Sequence, residues 1–500
     1  MRVIFFLLML AIFRAAAQAP VVVYDPAAKG TGMLAAKELR RYLYLRTGEL
    51  PKMAAGDRLP ANGILVATIG ELAKYPGLYR LKGIDRGLTG DAYQLISAGG
   101  KRLLIIGGNE IGALYGAYTF LESTGIGFEL DEDIIPDDKI STVRLDGFNR
   151  VYRPAFALRG IQPFHDFPEG PDWWNEDDYK AIITQLPKLR MNFIGFHTYP
   201  WAPVFRGWYK PEPLVWIGTR DQVDTVSGHV HAGYPVMHAN TNDSTWDYYG
   251  EPTSEFHFGA NQLFESDHYG ADYMKGISAW PHRPEENIAI FDSVGELLGR
   301  SFSLARELGV RTCVGTETPL TMPGPLQQAL RARGVDFGTD SARRRVYEGV
   351  FSRIKATHPL DYYWLWTPED WTWEGERAGE ADAVKADILD AAAAAKEMGA
   401  PFTLATCGWV LGPARNRAEF DEVLPKKMPF GVINRQQGYA RVEPAFAKIG
   451  GRPKWEISWM EDDPALVCPQ LWAGRVRKDA QDAYRYGCTG LMGIHWRTRG

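Results

Sequence analysis

The chain is short of cysteine, with four in 500 residues, and none are arranged as C-x-x-C, so a thiolate zinc site or a redox dithiol has no basis. It also lacks a basic excess. Its 56 Lys and Arg against 61 Asp and Glu leave a net charge of −5, which removes the basic stripe that nucleic acid or an anionic membrane would need. No G-x-S-x-G elbow occurs, which argues against a serine hydrolase. The glycines of Gly107-Gly108-Asn109-Glu110-Ile111-Gly112 fall out of the G-x-G-x-x-G order that cradles a dinucleotide. Beyond the N-terminus no run of 18 apolar residues exists, so no membrane span is expected in the mature chain.

Met1 and Arg2 are followed by the apolar run Val3 to Phe13 and by Ala15-Ala16-Ala17-Gln18-Ala19. A short apolar core ending in small residues is the layout of an export signal, and cleavage after Ala17 avoids leaving Pro20 at the new terminus. Residues 1–17 are therefore expected to be a signal peptide, the alternative being an uncleaved anchor, and the mature protein to be periplasmic or secreted. In an oxidising compartment Cys468 and Cys488 are the plausible disulfide pair, since Cys313 and Cys407 fall inside predicted strands as small buried groups.

What the chain has in quantity is aromatic: 16 Trp, 23 Tyr and 23 Phe, many beside predicted strand ends. Flat rings with one polar edge suit the apolar faces of sugars, although any single Trp can equally fill a core. Length points to two domains. Residues 20–148 read as an α/β unit: strand Val21–Tyr24, helix Leu34–Leu45 closed by Gly48, strand Ile64–Ile69, a hairpin of Tyr93–Ser97 and Arg102–Ile106, and a helix from Ile111 capped by Asn109.

From residue 153 to 500 short apolar strands alternate with helices. The strands are Phe156–Ile161, Asn192–His197, Thr312–Thr316, Tyr362–Trp366, Phe402–Thr406, Glu456–Trp459 and Leu491–His495, with helices over Glu176–Arg190, Ala342–Ala356, Ala381–Met398 and Arg475–Tyr486. This alternation predicts parallel strands with crossover helices, hence an α/β fold with a small N-terminal α/β domain and a (β/α)₈ TIM-type barrel, a doubly wound sheet being the alternative. The unseen strand is expected third, between residues 198 and 311, at Val215–Gly218 or Pro235–Ala239. The aromatic and His-rich stretch 199–283 is expected to cover the substrate; its His229, His231 and His238 lack the carboxylate and strand context of a zinc site. No helix follows the last strand, so the barrel either continues into a longer protein or is closed by an earlier helix.

Active sites of such barrels lie at the carboxyl ends of the strands. There the sequence places Gln162, His165 and Asp166 (first strand), His197, Tyr199 and Trp201 (second), Glu317 (fourth), Trp366, Glu369, Asp370 and Trp371 (fifth), Trp409 (sixth), Trp459 and Glu461 (seventh), and His495, Trp496 and Arg497 (eighth). Paired carboxylates with aromatics suit glycosidic bond cleavage, which needs one acid to protonate the departing oxygen and a second carboxylate to attack or to activate water, and needs no cofactor. Glu317, behind a buried strand, is the candidate acid. Glu369 and Glu461 are the candidate partners, and a gap of about 5–5.5 Å or about 6.5–9.5 Å separates retention from inversion. His165, His197, Trp366, Asp370, Trp409, Trp459, His495, Trp496 and Arg497 are candidate substrate contacts, with Arg159 and Arg497 able to fork a sugar carboxylate or to pair with barrel carboxylates. A non-catalytic carbohydrate-binding protein and a uronate-cleaving polysaccharide lyase are the competing readings.

The segment Asp91-Ala92-Tyr93-Gln94-Leu95 through Gly108-Asn109-Glu110-Ile111-Gly112-Ala113-Leu114-Tyr115-Gly116-Ala117-Tyr118 resembles the N-terminal accessory domain shared by α-glucuronidases of glycoside hydrolase family 67 and the β-hexosaminidase-like families. The resemblance implies a catalytic (β/α)₈ barrel after it and an O-glycosidase acting on an oligo- or polysaccharide. Family 20 hexosaminidases carry Asp-Glu after strand four. Thr316 stands before Glu317 here, so acetamide assistance is not implied.

Overall fold

The computed structural model describes residues 19–164, 171, 174–198, 215–216, 235–236, 284–320, 332, 334, 336, 339–433, 441–460 and 472–495. The chain forms two compact units, Met1–Pro154 and Ala155–Gly500. In the first, strands β1 (Val21–Tyr24), β2 (Met53–Ala55), β3 (Asn62–Thr68), β4 (Tyr93–Ser97), β5 (Lys101–Gly107) and β6 (Asn149–Tyr152) form one sheet in the order β2-β1-β3-β5-β4-β6. Helices α1 (Gly30–Thr47) and α2 (Glu110–Glu122) pack against each other. Local chemistry sets their ends. Gly48, at φ 77°, returns its N–H to Tyr44 O to close α1, and the Asn109 side chain accepts from Gly112 N–H at 2.8 Å to open α2.

The second unit is a closed barrel of parallel strands: β7 (Leu158–Pro163), β8 (Phe193–Thr198), β9 (Arg311–Glu317), β10 (Tyr362–Thr367), β11 (Thr403–Gly408), β12 (Phe430–Ile433), β13 (Lys454–Trp459) and β14 (Gly490–His495), with β14 pairing back onto β7. Its helices include α3 (Glu176–Lys188), α4 (Pro284–Glu307), α5 (Asp340–Thr357), α6 (Asp370–Trp373), α7 (Glu380–Glu397) and α8 (Ala473–Arg485). Asn175 and Asp178 form a reciprocal capping box at the start of α3.

Two expectations are corrected. The strand absent from the sequence reading is the sixth, β12, not the third: β8 pairs directly with β9, while Val215–Trp216 and Pro235–Val236 pair antiparallel with each other outside the barrel. Four residues, Phe430-Gly431-Val432-Ile433, are too few to show a period. They are held from outside by Arg452, whose guanidinium lies 3.8 Å from the Phe430 ring centroid and donates to Asp421 Oδ1 and to the carbonyls of Asp421, Leu424, Pro425 and Met428. Glu317 accordingly ends the third strand, Trp366 belongs to the fourth and Trp409 follows the fifth. The second correction concerns Cys488, which is a free buried thiol pushed by burial up to about 12; Cys468 lies outside the described residues.

Alternation along the strands sends Leu158 and Phe164, Phe193, Cys313, Trp364 and Trp366, Ala405 and Cys407, Ile433, Trp455, Ile457 and Trp459, and Met492 and Ile494 into one interior cluster. Large rings fit because small residues face them. A Cβ on Gly195 would run into the far edge of the Trp364 indole.

Candidate active site

Glu317 is the last residue of β9, in register with Trp366, and shares the inward face of Cys313. Its side chain is 13% exposed. Trp409 reaches it from the far side of β10. Gly408 sits at φ 148°, and a Cβ there would overlap Thr367 Oγ1 and stand 2.7 Å from Thr367 N; the same hydroxyl donates to Val410 O at 2.6 Å. This tight approach, open only to glycine, turns the chain so that the Trp409 indole N–H donates to Glu317 Oε1 at 3.0 Å.

His197, inward on β8, brings Nε2 to 3.9 Å from the same oxygen. Its ring stacks on Phe164 at 5.4 Å and meets Trp366 at 4.2 Å. Phe164, Trp366 and Trp459 in turn lie 5.9, 6.2 and 6.1 Å from the Trp409 ring. Glu317 thus stands over an aromatic box whose members are all buried.

Burial, then the negative charge of Glu369 and more weakly that of Asp370, pushes the Glu317 carboxyl up to about 8, against the Trp409 and Glu369 N–H groups that favour its ionised form. At pH 7 it is protonated about ten to one. Glu369 lies at the exit of β10, its carbonyl accepting from Thr372 N–H at 2.8 Å. The following turn, α6, is anchored by buried Trp371, whose indole donates to Glu380 at 3.1 Å. Behind β9, buried Asp387 of α7 accepts from Leu320 N–H at 3.2 Å and from Tyr347 O–H at 2.5 Å, which fixes the turn leaving Glu317.

Of the expected residues, the structure gathers Glu317, His197, Trp366, Trp409 and Trp459 in this box, with Glu369 at its rim and Asp370 exposed beside it. By strand alternation His495 falls on the face opposite Ile494 and is buried there. His165, Glu461, Trp496 and Arg497 lie outside the described residues. Arg159 is far from a sugar-binding role: at the amino end of β7 it donates to the carbonyls of Arg190 and Phe156.

Sequence reasoning missed Phe164 and Gly408. Phe164 follows its strand directly, a signal that could have been read; the role of Gly408 depends on a neighbouring strand. Gln162, also inward, is fully buried with neither amide atom hydrogen-bonded among the described residues, and the same holds for the Trp366 indole N–H. Each such group costs about 1–3 kcal/mol unless water or a ligand satisfies it.

An acid held neutral above an apolar floor, with a second carboxylate at its rim, is equipped to protonate a leaving group. The fold is a small α/β unit together with a (β/α)₈ barrel. Among solved structures the chain is similar to a family 138 glycoside hydrolase targeting pectin rhamnogalacturonan II (TM-score 0.52, 11% identity, covering 95% of this chain and 46% of that one). It is also similar to a family 115 4-O-methyl-α-glucuronidase with specificity for decorated arabinogalactans (TM-score 0.53, 13% identity, covering 96% and 54%). The chain spans about half the length of each. No protein-family model and no curated protein matches it.

Proposed function

We propose that this chain is an exported O-glycosidase acting on an oligo- or polysaccharide, with Glu317 as the acid that protonates the departing glycosidic oxygen. The observation that carries the reading is the Glu317 environment: a carboxyl at a barrel strand end, over four buried aromatic rings, neutral at pH 7 and beside the carboxylate of Glu369. Glu369 is the described candidate for the second carboxylate, and Glu461 after β13 is the other. The α-glucuronidase-like N-terminal segment, together with a fold neighbour that is a 4-O-methyl-α-glucuronidase, supports uronate-bearing glycans as the substrates to try first. Export rests on the Val3–Phe13 run and the alanines after it.

Glu317→Gln tests the chemistry. Turnover on a responsive glycan should fall by about 10²–10⁴ while the circular dichroism spectrum is unchanged, and near-normal activity would remove Glu317 from the mechanism. Digestion of a glycan panel with product analysis separates the competing readings: reducing ends mean hydrolysis, ultraviolet-absorbing unsaturated products mean a lyase, and retention without product means a binding protein.

A further inference from the structure

Trp409 looks at first like a platform for sugar, but its geometry gives it another task. Trp409 is buried, at 4% exposed, with Phe164, Trp366 and Trp459 around its ring, which leaves no free face for a saccharide. Its single polar atom is committed to Glu317 Oε1 at 3.0 Å. An indole nitrogen is a donor only and cannot exchange roles. A carbonyl oxygen accepts an N–H better than a hydroxyl oxygen does, so the oxygen it holds is favoured as the carbonyl oxygen of the neutral acid.

We propose that Trp409 is a positioning residue for Glu317: by holding Oε1 as the acceptor, it directs the transferable proton to Oε2 and fixes which edge of the carboxyl faces the bond to be broken. This rests on the glycosidase reading for its catalytic meaning, though not for the placement of the proton. In the step itself the C–O bond of the glycoside breaks with its electron pair passing to the departing oxygen, which takes the Oε2 proton. Glu317 is left as the carboxylate, stabilised by the indole N–H and by the Glu369 N–H. Water later supplies hydroxide to the sugar carbon and a proton to restore the acid. Gly408, which ends β11 in register with Thr367 and approaches it too closely for a Cβ, hands the chain directly to Trp409.

Among the described residues, the charged and titratable groups facing Glu317 are His197 from β8 and Glu369 and Asp370 after β10. His197 Nε2, at 3.9 Å from Oε1, stands beyond hydrogen-bond distance, so Trp409→Phe removes the indole donor without a described side chain already in its place. The Glu317 midpoint should then rise by about one pH unit, because a hydrogen bond favouring the charged form is gone. Two measurements read this.

In the pH profile of kcat/KM the basic limb should move upward by that amount, with kcat reduced and KM changed less than twofold. Proton uptake measured as wild type minus Glu317→Gln, repeated in the Trp409→Phe background, should show the same displacement without any substrate. A raised KM with both pH readouts unmoved would make Trp409 a sugar platform and overturn the proposal. If no glycan is cleaved by the wild type but the proton-uptake midpoint still moves, the glycosidase reading fails and the positioning role stands. If melting shows Trp409→Phe to be unfolded, Trp409→Leu replaces it; a proton-uptake midpoint raised by about one pH unit supports the proposal and an unmoved one overturns it.

Discussion

Glu317 should weaken the fold as pH rises, and replacing it should strengthen the protein while silencing it. Its carboxyl titrates at about 8 in the folded chain against 4.5 for an ordinary glutamate. The folded state therefore binds the proton more tightly than the unfolded chain, and stability is greatest below about pH 4.5 and is lost progressively as pH climbs to 8. Three and a half pH units correspond to about 5 kcal/mol at most, at 1.36 kcal/mol per unit, and partial exposure and relaxation reduce it by about half, to about 2–3 kcal/mol. Glu317→Gln keeps an oxygen for the Trp409 N–H and abolishes the titration. Urea unfolding of both proteins at pH 5 and pH 9 should give a difference that favours the variant by about 2–3 kcal/mol more at the higher pH. A difference that is flat across pH would mean that Glu317 is solvated and ionised, and the general-acid argument would fail with it.

Gly408→Ala should lower stability by about 2–4 kcal/mol, the sum of a backbone held at φ 148° and a displaced Thr367 hydroxyl, and should lower kcat because Trp409 is carried with it; a melting temperature within about 1 °C of wild type would refute the tight turn. Arg452→Ala removes a buried guanidinium that serves one carboxylate and four carbonyls around β12 and should cost about 3–5 kcal/mol, read as a fall in urea midpoint. If that midpoint is unchanged, β12 is held by its ladder alone.

Much of this architecture was legible in the residues because local physics writes it there. Gly48 and Asn109 announce helix ends since one tolerates positive φ and the other offers a side-chain acceptor to orphan N–H groups. Seven barrel strands show as apolar runs because parallel strands are buried on both faces, and Glu317, Trp366 and Trp409 stand out by following them directly. β12 was invisible for the converse reason: four residues carry no pattern, and what places them is Arg452, about twenty residues downstream.

Residue identity alone thus determined the fold class, the two-part organisation and a short list of strand-end carboxylates and rings, because propensity, patterning and capping act over a few neighbouring positions. Only the tertiary structure decided that Glu317 is neutral at pH 7, that Trp409 binds the acid with its N–H, and that Arg159 points its guanidinium at backbone carbonyls. Those outcomes depend on burial and on charges brought together across strands, quantities that exist only once the barrel has closed.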